Sequence, residues 1–135
     1  MKHIKFRAKD KFTEKWVYGD LVHNLGINEK GDYQRAMVGG YEAIEDTIGQ
    51  FIGLNDKNGV EIYDGDIFKL APSENGTVVN KYLVRVSEHF TVEIRDLDYP
   101  EKSRPFSYMS KDWWEYFQDE IEVIGNIYDN PELIK

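Results

Sequence analysis

Apolar and charged residues alternate at the start of the chain, where Ile4, Phe6 and Ala8 stand between Lys5, Arg7 and Lys9. A period of two is a strand with one wet face. Residues 10–14 are polar and read as a turn, and 16–22 read as a second strand, hairpin partner of the first. Gly26, Asn28 and Gly31 favour turns and make 25–32 a loop. Residues 33–38 read as a further strand, stopped by Gly39 and Gly40, while 42–47 are acidic and fit neither period.

The middle of the chain is the densest in signals. Residues 48–54 are β-rich but interrupted by Gly49 and Gly53, and Asn58-Gly59 is a strong short hairpin signal. Val60 and Ile62 resume the alternation, 64–66 turn the chain again, and 67–70 form a strand. A polar connection over 71–76 leads to two antiparallel strands, 78–86 and 90–94, around Ser87 and Glu88. Residues 96–105 form a loop with two prolines. Ser110 is placed to cap a short helix over 112–117 with acids in its first turn. Residues 121–128 are a last strand, and Asn130-Pro131-Glu132 predicts a terminal helical turn. Val60, Ile62, Ile67, Val123 and Ile127 are the expected core of this part.

Composition narrows the classes. The 135 residues fit one domain or two very small ones, and 41% hydrophobic against 31% charged residues is not the balance of a disordered chain. The absence of cysteine removes disulfides, thiol nucleophiles and thiolate metal sites. A net charge of −8 argues against a non-specific nucleic-acid binder, which must displace counterions with basic surface. The first fifteen residues run the other way, with six Lys or Arg against two acids. These charges leave no apolar stretch for a secretory signal, and no window reaches membrane-spanning length, so the expectation is a cytoplasmic protein without membrane association.

Few constellations suggest chemistry. Asp56, Asn58, Glu61, Asp64 and Asp66 have the composition of a calcium loop, but Gly59 comes too early for an EF-hand, and turn formation accounts for the same residues. Asp64 and Asp66 are the one carboxylate pair to weigh for acid–base work, against the reading that they bond turn amides. His3, His23 and His89 are far apart and lack the spacing of a zinc helix. No phosphate-binding, dinucleotide-binding or nucleophile-elbow motif occurs, so no catalytic, cofactor or metal residue is assigned. Trp113, Trp114, Tyr116 and Phe117 form the densest aromatic cluster, bounded by Asp112, Glu115, Asp119 and Glu120. They either plug one end of the fold or leave one tryptophan exposed to anchor a partner.

Three segments resemble the YopX family. They are 50–67, with Asp56-Lys57-Asn58-Gly59 and Tyr63-Asp64-Gly65-Asp66-Ile67; the ending 122–133, with Ile124-Gly125-Asn126-Ile127-Tyr128-Asp129-Asn130-Pro131; and the opening Ile4-Lys5-Phe6-Arg7-Ala8 with Asp10. Lys9 stands where family members often carry an aromatic. The resemblance implies a small protein encoded by bacteriophages and prophages. It implies a mainly β fold with short helical segments: an N-terminal β-rich part, 1–47, and an SH3-like β-barrel, 48–135. It brings no catalytic role to the motif residues.

The expectation is an accessory protein and non-enzymatic binding module with a protein partner, for which 113, 114, 116 and 117 are the candidate contact residues. Its rivals are an acidic nucleic-acid mimic that occupies a host DNA-binding protein, and a carboxylate-based hydrolase or nuclease. An aromatic fraction of 14% is hard to bury in so small a domain, which predicts a homo-oligomer joined at 113–117 or at an open barrel edge.

Overall fold

The computed structural model describes residues 4–70, 80–98 and 106–134. His3, the connection over 71–76, the start of the strand expected at 78 and the proline-containing part of the loop lie outside the described residues. The fold is mainly β, with antiparallel sheets and one short α-helix among the described residues. The chain divides into two compact units, Met1–Phe51 and Ile52–Lys135.

In the N-terminal unit, β1 (Phe6–Lys9) pairs with β2 (Trp16–Gly19) through Phe6↔Gly19 and Lys9↔Trp16, as the opening alternation predicts. Asp10 closes the turn between them, its Oδ1 accepting the amide of Phe12 at 2.8 Å. The strand expected over 16–22 is in fact two. β3 (Leu21–Asn28) leaves β1 and pairs along its whole length with β4 (Gly31–Val38). The break falls where two glycines cross: a Cβ on Gly19 would lie 2.8 Å from the Gly39 Cα, and the Gly39 amide donates to the Asp20 carbonyl at 3.1 Å. No side chain fits between the two backbones.

The loop expected over 25–32 is likewise corrected. It is the end of one strand, a two-residue turn and the start of the next, with Asn28 Oδ1 accepting the Lys30 amide at 2.8 Å. Gly26 does not break β3 because the ring of Tyr33, its partner across the ladder, covers it. β5 (Tyr41–Glu42) adds to β4, and a 3-10 turn (Glu45–Thr47) leads to β6 (Gly49–Asn55), which pairs with β1 through Arg7↔Gly49. The core is small: Ala8, Val38 and Ala43 are buried, with Phe6, Val17, Leu21 and Ile48 packed around them.

The C-terminal unit contains β7 (Glu61–Tyr63), β8 (Asp66–Leu70), β9 (Lys81–Val86), β10 (Val92–Asp96), β11 (Ser107–Tyr108), α1 (Lys111–Phe117) and β12 (Ile121–Asn126). Five strands form an antiparallel sheet in the order β11-β10-β9-β8-β12. Among the described residues this sheet is open, with β11 and β12 at its edges. Ile62, Phe68, Val84, Ile94, Met109 and Ile121 make the core. Each such side chain contributes roughly 2 kcal/mol by leaving water.

Of the expected core residues, Ile62 and Ile67 are buried. Val60 is 48% exposed, and Val123 and Ile127 are half-buried. Val60 sits outside the strand, where its backbone amide and carbonyl close the Asp56 turn. The last strand ends at Asn126, short of the expected 128, because Asn126 Oδ1 accepts the amides of Tyr128 and Asp129 and turns the chain.

Candidate functional site

The aromatic cluster is built on α1. The Ser110 hydroxyl oxygen accepts the Trp113 amide at 3.1 Å, and Asp112 lies in the first turn, so the helix begins where the sequence predicts. Trp113 and Phe117, one helical turn apart, have ring centroids 4.8 Å apart. Trp113 also meets Phe68 edge-on at 6.0 Å and Tyr82 at 5.9 Å, while Phe68 and Tyr82 stack at 5.3 Å. Trp113, Trp114 and Phe117 are therefore half-buried against the C-terminal core. Tyr116 is different. It is 80% exposed and touches Phe117 edge-on at 4.7 Å. Around it Asp112, Glu115, Asp119 and Glu120 are all exposed. Lys111 pairs with Glu115 at 3.5 Å, an exposed contact of little energetic weight. The arrangement is one aromatic knob among exposed carboxylates, resting on Phe117, on a helix whose other three rings pack on the core.

The carboxylates weighed for chemistry act on the backbone. Asp56 Oδ1 accepts the amides of Asn58 at 2.8 Å and Val60 at 2.9 Å, and its Oδ2 accepts that of Val123 at 2.9 Å. One buried side chain thus closes its own turn and holds β12. Asp64 Oδ1 accepts the Val86 amide at 3.0 Å and meets the Arg85 guanidinium at 3.0 Å. Asp66 Oδ2 accepts the Tyr63 amide at 2.8 Å. Asp56 and Asp66 thus bond amides of their own turns, whereas Asp64, expected to do the same, bonds the last amide of β9 instead. Asp64 and Asp66, two positions apart, engage different strands. His23 and His89 are exposed, and among the described residues no cluster of three His, Asp or Glu is arranged to hold a metal.

The N-terminal unit has its own polar cluster. Glu42 accepts from Lys11 Nζ at 2.9 Å and from the Tyr33 hydroxyl at 2.8 Å. These bonds, with Lys11 foremost, hold the Glu42 carboxyl below its ordinary value, and the bond to Glu42 holds the Lys11 ammonium above its own. A shallow groove of about 380 Å³ opens nearby in the same unit, lined by Asp20, Val22, Asn24, Met37, Gly39 and Gly40. The polar cluster was not legible in the sequence, because Lys11 reaches Glu42 only through the bridge between Asp10 and Ala43, and Tyr33 only through the pairing of β4 with β5.

The motif segments of the C-terminal unit come together in space. Asp66 pairs with Asn126, the Gly65 amide donates to the Val84 carbonyl at 2.8 Å, and the Ile127 amide donates to the Gly65 carbonyl at 3.0 Å. A Cβ on Gly65 would lie 3.1 Å from the Tyr128 ring, at a φ of +93° that disfavours other residues. A Cβ on Gly125 would collide with the Asn130 side-chain oxygen, which accepts the Asn126 amide at 3.2 Å. The model of the family described as YopX protein matches residues 5–135. The chain belongs to the YopX family. In the two C-terminal YopX motifs, glycine, Asn and Asp lock the turns at 56–60, 63–66 and 125–130, while the opening motif lies on β1. No curated protein matches the chain. Among solved structures it is similar to protein EF1440 from Enterococcus faecalis, with 21% identity and a TM-score of 0.55 over 100% of both chains, a likeness of fold alone.

Proposed function

We propose that this YopX chain is a non-enzymatic binding module of phage or prophage origin, acting in the host cytoplasm, that takes a protein partner on the α1 face. The observation that carries the reading is Tyr116, 80% exposed within a rim of four exposed carboxylates. Exposed tyrosine is a frequent hot-spot residue, and the rim selects a partner segment rich in Lys or Arg. The same reading takes the C-terminal unit as an SH3-like barrel. What supports it is the strand order, in which the last strand, β12, returns beside β8, the first strand of the sheet, and the bulge between Val123 and Gly125 that lets β12 bend. The module carries out no reaction in this reading; Asp56, Asp64 and Asp66 serve to hold backbone amides.

Affinity capture from host cells, with the wild type compared with Tyr116→Ala, tests it. A partner retained by the wild type should bind at least about 10-fold more weakly to the variant and be released by moderate salt. Equal retention by both proteins would count against the α1 face.

A further inference from the structure

We infer that β3 is an edge across which two copies of this chain pair, antiparallel and about a twofold axis. Among the described residues β3 is the long edge strand of the sheet β3-β4-β5, whose other edge is the two-residue β5. The eight residues of β3 pair with β4 without a register shift, so no bulge interrupts the edge. Natural edge strands are guarded by charge, proline, a bulge or short length. β3 has none of these guards: Leu-Val-His-Asn-Leu-Gly-Ile-Asn contains no Lys, Arg, Asp, Glu or Pro. It also exposes apolar side chains to both faces, with Val22 at 51%, Leu25 at 62% and Ile27 at 83%. The strand is not loose. Tyr33 lies over Gly26, and its hydroxyl is held by Glu42, so the edge is presented in one geometry.

The occupant follows from charge. Residues 1–51 hold eight basic and eight acidic side chains, whereas 52–135 hold nine basic and seventeen acidic, the whole net charge of −8. A twofold contact sets each surface against itself. On α1 that would bring Asp112, Glu115, Asp119 and Glu120 against their own copies, with Lys111 the one cation of the segment. On β3 it sets an uncharged strand against an uncharged strand inside a neutral unit. A register centred on Leu25 puts Leu25 opposite Leu25 and Ile27 opposite His23 on one face, and Asn24 opposite Gly26 on the other. The backbone groups of both edges gain partners, and Leu25 and Ile27 leave water. The expected homo-oligomer is therefore a dimer through β3 and not through 113–117. The inference is independent of the partner proposed for α1.

Sedimentation of the full chain tests it. The wild type at hundreds of micromolar should have twice the mass of one chain. Leu25→Lys and Ile27→Lys should return the mass to one chain with unchanged circular dichroism, because both side chains point to solvent in the single chain. Tyr116→Ala should remain a dimer. Hydrogen exchange on the unmodified protein gives a second readout, in which protection of amides in β3 rises with concentration. A wild-type monomer without such protection would overturn the inference and leave the edge to a strand from another protein. A dimer that survives both lysine variants, or that Tyr116→Ala dissolves, would overturn it as well.

Discussion

The two units reach stability by different means. The C-terminal unit buries large side chains, with Phe68, Ile62 and Ile121 at its centre and a ring stack reaching through Tyr82 and Trp113 to Phe117. Its turns are tied by carboxylates that accept backbone amides. The N-terminal unit has a core of two alanines and a valine. It depends instead on close backbone approach at Gly19 and Gly39 and on the Lys11–Glu42–Tyr33 cluster. A volume change should therefore hurt most in the first case, and a Cβ added to a glycine in the second. The units differ in charge in the same way: one is neutral and offers a strand edge, and the other is acidic and offers an aromatic knob.

The largest expected effect is that of Phe68→Ala. Loss of a fully buried ring with two aromatic neighbours should reduce unfolding free energy by about 4 kcal/mol, read by urea denaturation. Tryptophan fluorescence should report it directly, since Trp113 packs on Phe68. Asp56→Ala comes next. It strips three amides of their acceptor and should cost about 3 kcal/mol. A change below about 1 kcal/mol would mean that β12 is held by packing and not by Asp56.

In the N-terminal unit, Gly39→Ala should cost about 2 kcal/mol, because its Cβ would meet the Tyr18 carbonyl oxygen at a φ of +59°. Gly40→Ala is the control. Its φ is +89° but nothing lies within 4 Å of the added Cβ, so it should cost less. Equal costs would show that backbone conformation, not the crossing at Gly19, limits this unit.

The smallest effect is one of pH. The folded-state Glu42 value lies below the ordinary 4.5. Its contribution is complete above that value and is lost as pH falls through the lower, folded one. The Lys11 value lies above the ordinary 10.5, so the partner contribution is lost only as pH rises through the higher, folded one. Melting curves of Glu42→Gln should lie below those of the wild type at neutral pH and approach them in acid. Parallel curves at every pH would remove the cluster from the account of this unit.

Local chemistry made several elements readable without coordinates. The alternation around Phe6 and Ala8 marks β1, Ser110 marks the start of α1, and Asn130-Pro131 marks the turn Pro131–Ile134. Each rests on a period or cap that neighbouring residues complete among themselves. The motif segments were visible for the same reason, since Gly65, Gly125 and Asn126 answer backbone demands that few other residues meet. The division of 16–22 between two sheets was not readable, because it depends on Gly39 crossing Gly19 from another strand. Nor was 25–32, where Gly26 signals a loop until Tyr33 covers it. The reach of Asp56 to Val123, 67 residues away, likewise belongs to tertiary structure alone. A side chain's own type limits which bonds it can make, but which partner arrives, and whether a strand has a neighbour on its open side, is decided only when distant segments pack.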